Sequence, residues 1–328
     1  MATLKDGGKT EQNMKLLSNI FAATALIAVV VLTMAASGCS KREESGKLKA
    51  AAGLPPVAYL AKRVGGDAAE VRSMLPEGRS PHDYSPGARE MRDAVSSRLF
   101  FTTGMNFEKK LEKPLHNSGT RIVDVSRGVV RIPMEISCGH DHHDHDHHDH
   151  HHHHGEEPED AWDPHVWLNV ENACRMAENI RDEFCQADPA HAEVYRKNCE
   201  ALLKELGECE KRLTADMAPY RGRRFYVYHP AFGYYAKMLD LKQEAFELGG
   251  REVTAARLPE VLRHAKADKV RTVFTQPQFN PASVRALEMR YGINVVPADP
   301  LREDLIKNFF DLAEALKAGF EADAGGVK

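Results

Sequence analysis

The sequence predicts an α/β protein of two similar lobes with parallel sheets, joined by a long rigid helix, with a metal site in the cleft between the lobes. Three observations carry the architecture. Short β-like runs alternate with helical runs on both sides of the chain's middle, the pattern of parallel sheets. The stretch from Ala190 to Met217 has Gly207 as its only Gly or Pro. At ~1.5 Å per residue it reaches roughly 42 Å as a helix, more than a small lobe's diameter, so it suits a strut. The 328 residues are enough for two cores of ordinary size.

In the first half, Pro56 to Val64 has helical spacing, with Val57, Leu60, Ala61 and Val64 on one face, and Gly65-Gly66 stops it. Val71 to Leu75 reads as a strand, and Glu77 to His82 as the loop at its end. Ala88 to Val95 is helical, Leu99 to Thr102 a strand, and Phe107 to Leu111 a helix. Ile122 to Val125 and Val129 to Ile132 read as β segments. Glu171 to Cys185 is a helix, and Asp188-Pro189 starts the strut, with Pro at the first helical position. After Pro219 the alternation resumes. Strands are expected at Arg224 to Tyr228, Val270 to Phe274 and Ile293 to Val296. Helices are expected at Ala231 to Leu239, Leu258 to Lys266, Ala282 to Tyr291 and Leu305 to Leu316. These elements divide the chain into an N-terminal lobe at 54–189, a linking helix at 190–217 and a C-terminal lobe at 218–328.

The N-terminus reads as a targeting segment. Lys15 precedes an apolar run from Leu16 to Met34, small residues follow to Gly38, and then comes Cys39. Ala36-Ser37-Gly38-Cys39 resembles a lipobox, in which Cys39 is lipidated and becomes the mature N-terminus. A permanent membrane anchor is the competing reading, because the run is long enough to span a bilayer. Residues 1–13 add nothing to such a signal, and Met14 is the more ordinary start. Residues 40–53, charged and rich in Ala and Gly, read as a tether. Beyond Cys39 lie Cys138, Cys174, Cys185, Cys199 and Cys209. An oxidising compartment permits disulfides, but an odd count leaves one thiol over, no CxxC zinc spacing is present, and Cys174 and Cys185 on one helix cannot bridge.

The formal charge of −4, without a long Lys/Arg run, gives no nucleic-acid partner. Histidine is the anomaly: eleven of the seventeen fall between His140 and His154, interleaved with four Asp. This block has no apolar residue and cannot join a core. Its imidazoles are mostly neutral at pH 7 and can bind metal. An expression tag does not account for it, because it is internal, alternates with Asp and runs into the acidic stretch Glu156 to Asp160.

Three other histidines, His82, His165 and His229, sit beyond strands or at loop re-entries, each beside a proline (Pro81, Pro164, Pro230). Asp299 has the same place after the last strand, beside Pro300. Ligands in open α/β sheets bind at the carboxyl ends of strands. Three imidazoles and a carboxylate, two from each side of the strut, make a tetrahedral set that suits Zn2+, although imidazole also accepts Cu, Ni and Fe. A lone His after a strand is more often structural than a ligand; the shared Pro context of these three is what raises them. His116, His191 and His264, in polar or helical stretches, read as surface residues.

The chain resembles the zinc-specific members of the metal-binding periplasmic solute-binding proteins that serve ABC transporters. The likeness runs from about Leu54 to Phe320. It is carried by Gly65-Gly66-Asp67, Leu75-Pro76-Glu77-Gly78, Ser80-Pro81-His82-Asp83-Tyr84, Gly104 and Glu108. It continues through Asp163-Pro164-His165-Val166-Trp167-Leu168, Tyr228 to Tyr234 and Asp299-Pro300-Leu301. The resemblance implies two α/β lobes on a rigid helix, His82, His165 and His229 as ligands of a Zn2+ ion held between the lobes, and delivery to an ABC transporter membrane permease. His229 stands where a manganese-type member usually has Glu, and a His-rich loop before the second ligand is a zinc-type feature. Three departures stand out. The usual first strand is weak at Lys47 to Gly53, Asn169 replaces a commoner Asp, and Pro81 replaces the Glu some members carry. The fourth ligand stays open between Asp299, a water and a residue of the acidic loop.

The function expected is therefore capture of zinc outside the cytoplasmic membrane by a monomeric, lipid-anchored periplasmic or cell-surface protein that feeds a permease. A metal buffer or chaperone using the His/Asp block is the alternative, with manganese or iron transport behind it. A zinc hydrolase is disfavoured, since no HExxH occurs and no general-base Glu adjoins a candidate ligand.

Overall fold

A computed structural model of the chain describes residues 46–134, 162–246, 263, 271–278, 288–289 and 292–325. The targeting segment with Cys39, the His/Asp block and Cys138 lie outside the described residues. So do the helices expected at 258–266 and 282–291, except that Arg263, Glu288 and Met289 are helical.

The first lobe is a parallel sheet of β1 (Leu48–Ala52), β2 (Ala69–Ser73), β3 (Leu99–Thr102) and β4 (Arg121–Asp124), in the order β2-β1-β3-β4. Its helices are α1 (Pro55–Gly65), α2 (Ala88–Val95), α3 (Asn106–Lys109), α4 (Glu112–Ser118) and α5 (Val170–Ala187). The strut is α6 (Ala192–Met217), entered through a short 3-10 turn at Pro189–His191. The second lobe repeats the strand order as β6-β5-β7-β8, with β5 (Arg224–Val227), β6 (Lys242–Ala245), β7 (Thr272–Thr275) and β8 (Asn294–Pro297) all parallel. Helix α7 (Gly233–Met238) follows β5, and α8 (Leu305–Gly325) closes the chain. The strut packs against α1 and α5 of the first lobe and α8 of the second. It buries Leu202, Leu206, Leu213 and Met217 along one side, as an amphipathic helix must.

Two expectations need correction, and two elements were not expected. The stretch 40–53 is not tether throughout, because Leu48–Ala52 forms a strand between β2 and β3. Its three alanines are buried. A central strand covered on both faces can be built of small residues, and that context overrides their weak β propensity. Val129 to Ile132 is not a strand. A turn with Gly128 at φ 79° precedes it, Val130 is 75% exposed, and the only pairing nearby is one antiparallel bridge from Pro133 to Trp162. Strand β6, Lys-Gln-Glu-Ala, escaped notice because it is a polar edge strand, where charged residues are common. Helix α4 escaped because it contains Pro114, which falls in the first turn and is tolerated there. Cys174 and Cys185 share α5, and Cys174, Cys185, Cys199 and Cys209 are all unpaired.

One buried carboxylate shapes the loop after β3. Glu108 Oε2 accepts hydrogen bonds from Thr102 Oγ1 (2.7 Å), Thr103 N (3.1 Å) and Met105 N (2.8 Å). Its Oε1 faces Gly53 so closely that a methyl group there would overlap it, which is why the residue after β1 must be glycine. Burial pushes the carboxyl up to about 7, against the opposing pull of those donors. Between pH 4.5 and about 7 the folded chain therefore holds a proton that the unfolded chain has lost, so this group makes stability fall as pH rises through that window. Glu108→Gln should flatten this slope. The check is denaturant unfolding of both chains across the window, where equal slopes would show that Glu108 contributes none of it.

Candidate metal centre

The three sequence-predicted histidines come together. His82 is carried by the loop after β2, and the buried Tyr84 hydroxyl ties that loop back by donating to Met74 O at 3.0 Å. His229 lies two residues beyond β5, and Tyr228 N continues the strand's hydrogen bonding to Phe274 O. His165 lies before α5, whose N-cap Asn169 accepts from Asn172 N at 3.0 Å. Asn and Asp cap equally well, so the departure at Asn169 leaves the helix start intact.

His82 Nε2 lies 3.1 Å from His229 Nε2, which lies 3.3 Å from His165 Nε2. Ligand atoms at about 2.0–2.1 Å from one tetrahedral ion stand about 3.3–3.4 Å apart, so the spacing is that of a coordination shell. Among the described residues these three form the group of side chains able to hold a metal ion. His165 and Asp163 are buried, and His165 Nδ1 lies 2.8 Å from Asp163 Oδ1. A carboxylate only accepts, so the ring donates through Nδ1 and its Nε2 lone pair faces the other imidazoles. Asp163 fits because residue 233 is glycine, since a side chain there would press on its carboxylate. His82 is exposed where its loop meets solvent, but its ring end packs among buried imidazoles. Burial, then His229 and His165, push its pKa down to about 3.

Two lobes contribute to the centre and are pinned beside it. The buried Trp167 donates from Nε1 to Pro300 O at 2.7 Å, and Ile132 N donates to Tyr234 Oη at 3.3 Å. Asp299 does not join the three histidines. Its Oδ1 accepts from Gln278 Nε2 and Leu301 N, each at 2.9 Å. Two glutamines from the end of β7, Gln276 and Gln278, line the pocket instead. Sequence reasoning missed them, and the polar run Gln276-Pro277-Gln278 directly after a strand was the available signal. His116 and His191 are exposed, as expected of surface residues, while His264 lies outside the described residues.

Fold and centre together define a two-lobed binding protein that holds a metal ion in its cleft. Residues 51–318 match the family described as "Zinc-uptake complex component A periplasmic" (ZnuA), and the chain belongs to that family. A putative metal-binding protein of Treponema pallidum (strain Nichols) is 28% identical over 278 residues, covering 83% of this chain and 85% of the relative. The zinc-binding lipoprotein AdcA of Streptococcus pneumoniae (strain ATCC BAA-255 / R6) is 27% identical over 271 residues, 80% of this chain and 52% of AdcA. This chain thus spans about half the length of that streptococcal relative. A crystal structure of ZnuA superposes with a TM-score of 0.72 at 25% identity, over 84% of this chain and 99% of that one. The Zn(II)-bound ZnuA-like domain of S. pneumoniae AdcA does so with 0.65 at 25% identity, over 84% and 99%.

If the three imidazoles are ligands, His82→Ala, His165→Ala and His229→Ala should each weaken zinc binding at least hundredfold. Asp163→Asn should weaken it about tenfold to hundredfold, the usual effect of losing a group that orients a ligand. Competition titration against a chelator of known affinity measures all four; a histidine variant with wild-type affinity removes that residue from the set.

Proposed function

We propose that this chain captures Zn2+ outside the cytoplasmic membrane through His82, His165 and His229 and passes it to the membrane permease of an ABC transporter. The observation that carries the reading is the convergence of three Nε2 atoms from both lobes at coordination spacing. Three neutral imidazoles suit zinc. A cleft between two lobes suits cargo, because ligands drawn from both halves release the ion when the halves part. Ala36-Ser37-Gly38-Cys39 at the end of an apolar run supports a lipid tether through Cys39. Cys39→Ser should therefore shift the protein from the membrane fraction to the soluble one or leave its signal uncut; a processed variant that stays on the membrane sinks the anchor.

The His/Asp block fits an auxiliary collector better than the transport site. A chain of polar residues must lose conformational entropy to wrap an ion, so each of its sites is weaker than a cleft whose ligands are already positioned. It ends eleven residues before His165, so an ion held there is concentrated near the cleft. The block and His82 of the cleft respond differently to acid. Imidazoles of ordinary pKa, about 6.5, become protonated as pH falls to 5.5 and let metal go. His82 in the cleft stays neutral until pH nears 3. Deleting residues 140–154 should lower the number of zinc ions bound at pH 7.5, make less difference at pH 5.5, and leave the tight site within about tenfold. Calorimetric titration at the two pH values measures this, and loss of the tight site with the block would make the chain a metal buffer instead.

A further inference from the structure

The turn that carries His229 leaves the sheet and is gripped by side chains. Strand pairing beside it ends with Tyr228 N donating to Phe274 O and Phe246 N to Val227 O, each at 2.9 Å. Past that point two glutamines from the flanking chain segments take over. Gln276 Nε2 donates to His229 O at 2.8 Å. Gln243 Oε1, from β6, accepts from Phe232 N at 2.7 Å. Phe232 is the N-cap of α7, and its N–H has no acceptor within the helix. The two bonds hold the turn from His229 to Phe232 at both ends.

Gln243 is an unusual residue for its position. Burial along β6 alternates through exposed Lys242, buried Gln243, half-buried Glu244 and buried Ala245, so Gln243 shares the inward face with Ala245. A buried polar side chain at such a place calls for a reason. Phe232 N only donates, which turns Oε1 to the turn. Gln243 Nε2 is then buried with no hydrogen-bond partner among the described residues. An apolar residue would avoid that unpaired donor. What glutamine offers here and leucine or methionine does not is the acceptor for Phe232 N. Among the described residues that line the histidine pocket, Gln243 does not appear.

We propose that Gln243 is a positioning residue for zinc binding: through Phe232 N it fixes the turn that carries His229, and so the direction of that imidazole, without touching the ion. This rests on the three-histidine reading above and extends it to a residue outside the pocket. His229 Nε2 stands between the other two ring nitrogens, 3.1 Å from His82 Nε2 and 3.3 Å from His165 Nε2. A swing of its turn therefore disturbs both distances at once. Ligand geometry has to hold within about 0.5 Å of the productive arrangement. The bond at His229 O anchors one end of the turn, and the bond at Phe232 N anchors the other. Breaking the second frees the end that Gln276 does not reach.

The test is zinc competition titration of the full chain and of Gln243→Met, Gln243→Glu, His229→Ala and His165→Ala, with Gln243→Met also placed in each histidine background. Gln243→Met should weaken zinc binding about tenfold or more, as loss of a group that orients a ligand generally does. It exchanges one unpartnered buried donor, the Gln243 amide, for another, Phe232 N–H. Denaturant unfolding of the metal-free protein should therefore move little, whereas a merely structural residue would show its loss there and not in affinity. Gln243→Glu keeps an acceptor and should recover most of the affinity. The double variants decide the route. With His229→Ala, Gln243→Met should cost nothing further; with His165→Ala it should still lower affinity. Wild-type affinity in Gln243→Met overturns the proposal, as does an equal loss in both backgrounds. A His229→Ala variant that binds normally instead removes the three-histidine reading itself, so the two failures are told apart. A second measurement needs no variant: in hydrogen exchange of the metal-free wild type, Phe232 N–H should be protected well beyond an exposed loop amide, and unprotected exchange overturns the proposal.

Discussion

The structure depends on keeping three imidazoles pressed together, two of them buried and the third at the mouth of the pocket. Convergent lone pairs repel, and each ring would be better solvated apart. Burial and the neighbouring rings remove the option of protonation at His82. The Asp163 carboxylate fixes which nitrogen of His165 carries the hydrogen. The rings stay together because each sits on a segment that other contacts have already placed: the Tyr84-anchored loop, the end of β5 and the capped start of α5. A divalent cation held as proposed would turn this unfavourable crowding into a coordination shell, so that the energy stored in positioning would appear as affinity.

That crowding requires two lobes held at a set distance, and the strut meets the requirement. Helix α6 packs against α1 and α5 on one side and α8 on the other, so both lobes are built onto one rigid element. Near the site the lobes touch through Trp167 on Pro300 O, Tyr234 with Ile132 N and Val170 N with Met238 Sδ, among the described residues. The exposed pair Lys62–Glu303, at 2.6 Å, adds little, as surface ion pairs generally do.

The parts of this design legible in the sequence were those written in local pattern. Helix α2 and strand β3 were read to the residue, and the strut to within two residues, because apolar spacing and Pro or Gly mark their ends. The three histidines were legible because each follows a strand or re-enters the fold beside a proline. What was not legible depends on neighbours distant in the chain. Strand β1 is a strand only because β2 and β3 flank it and helices cover its alanines. Strand β6 pairs with a single neighbour and has no apolar stripe to announce it.

Asp299 shows the same limit at the level of chemistry. By position it is the equal of His229: both follow a strand of the second sheet by two residues and precede a proline. What separates them in the structure is Gln278, from the loop after the neighbouring strand β7, which donates to Asp299 Oδ1. A residue's place at a strand end decides whether it can face the cleft. Which donors meet its oxygens is decided both by its own loop, through Leu301 N, and by the loop after the adjacent strand, through Gln278. The parallel order β5-β7-β8 sets the loops that follow β5, β7 and β8 side by side. His229 O and Asp299 Oδ1 each receive an amide from the intervening Gln276 and Gln278. The sheet order thus brings two glutamines to the pocket beside the imidazoles, so its lining is a property of strand topology as much as of any single residue.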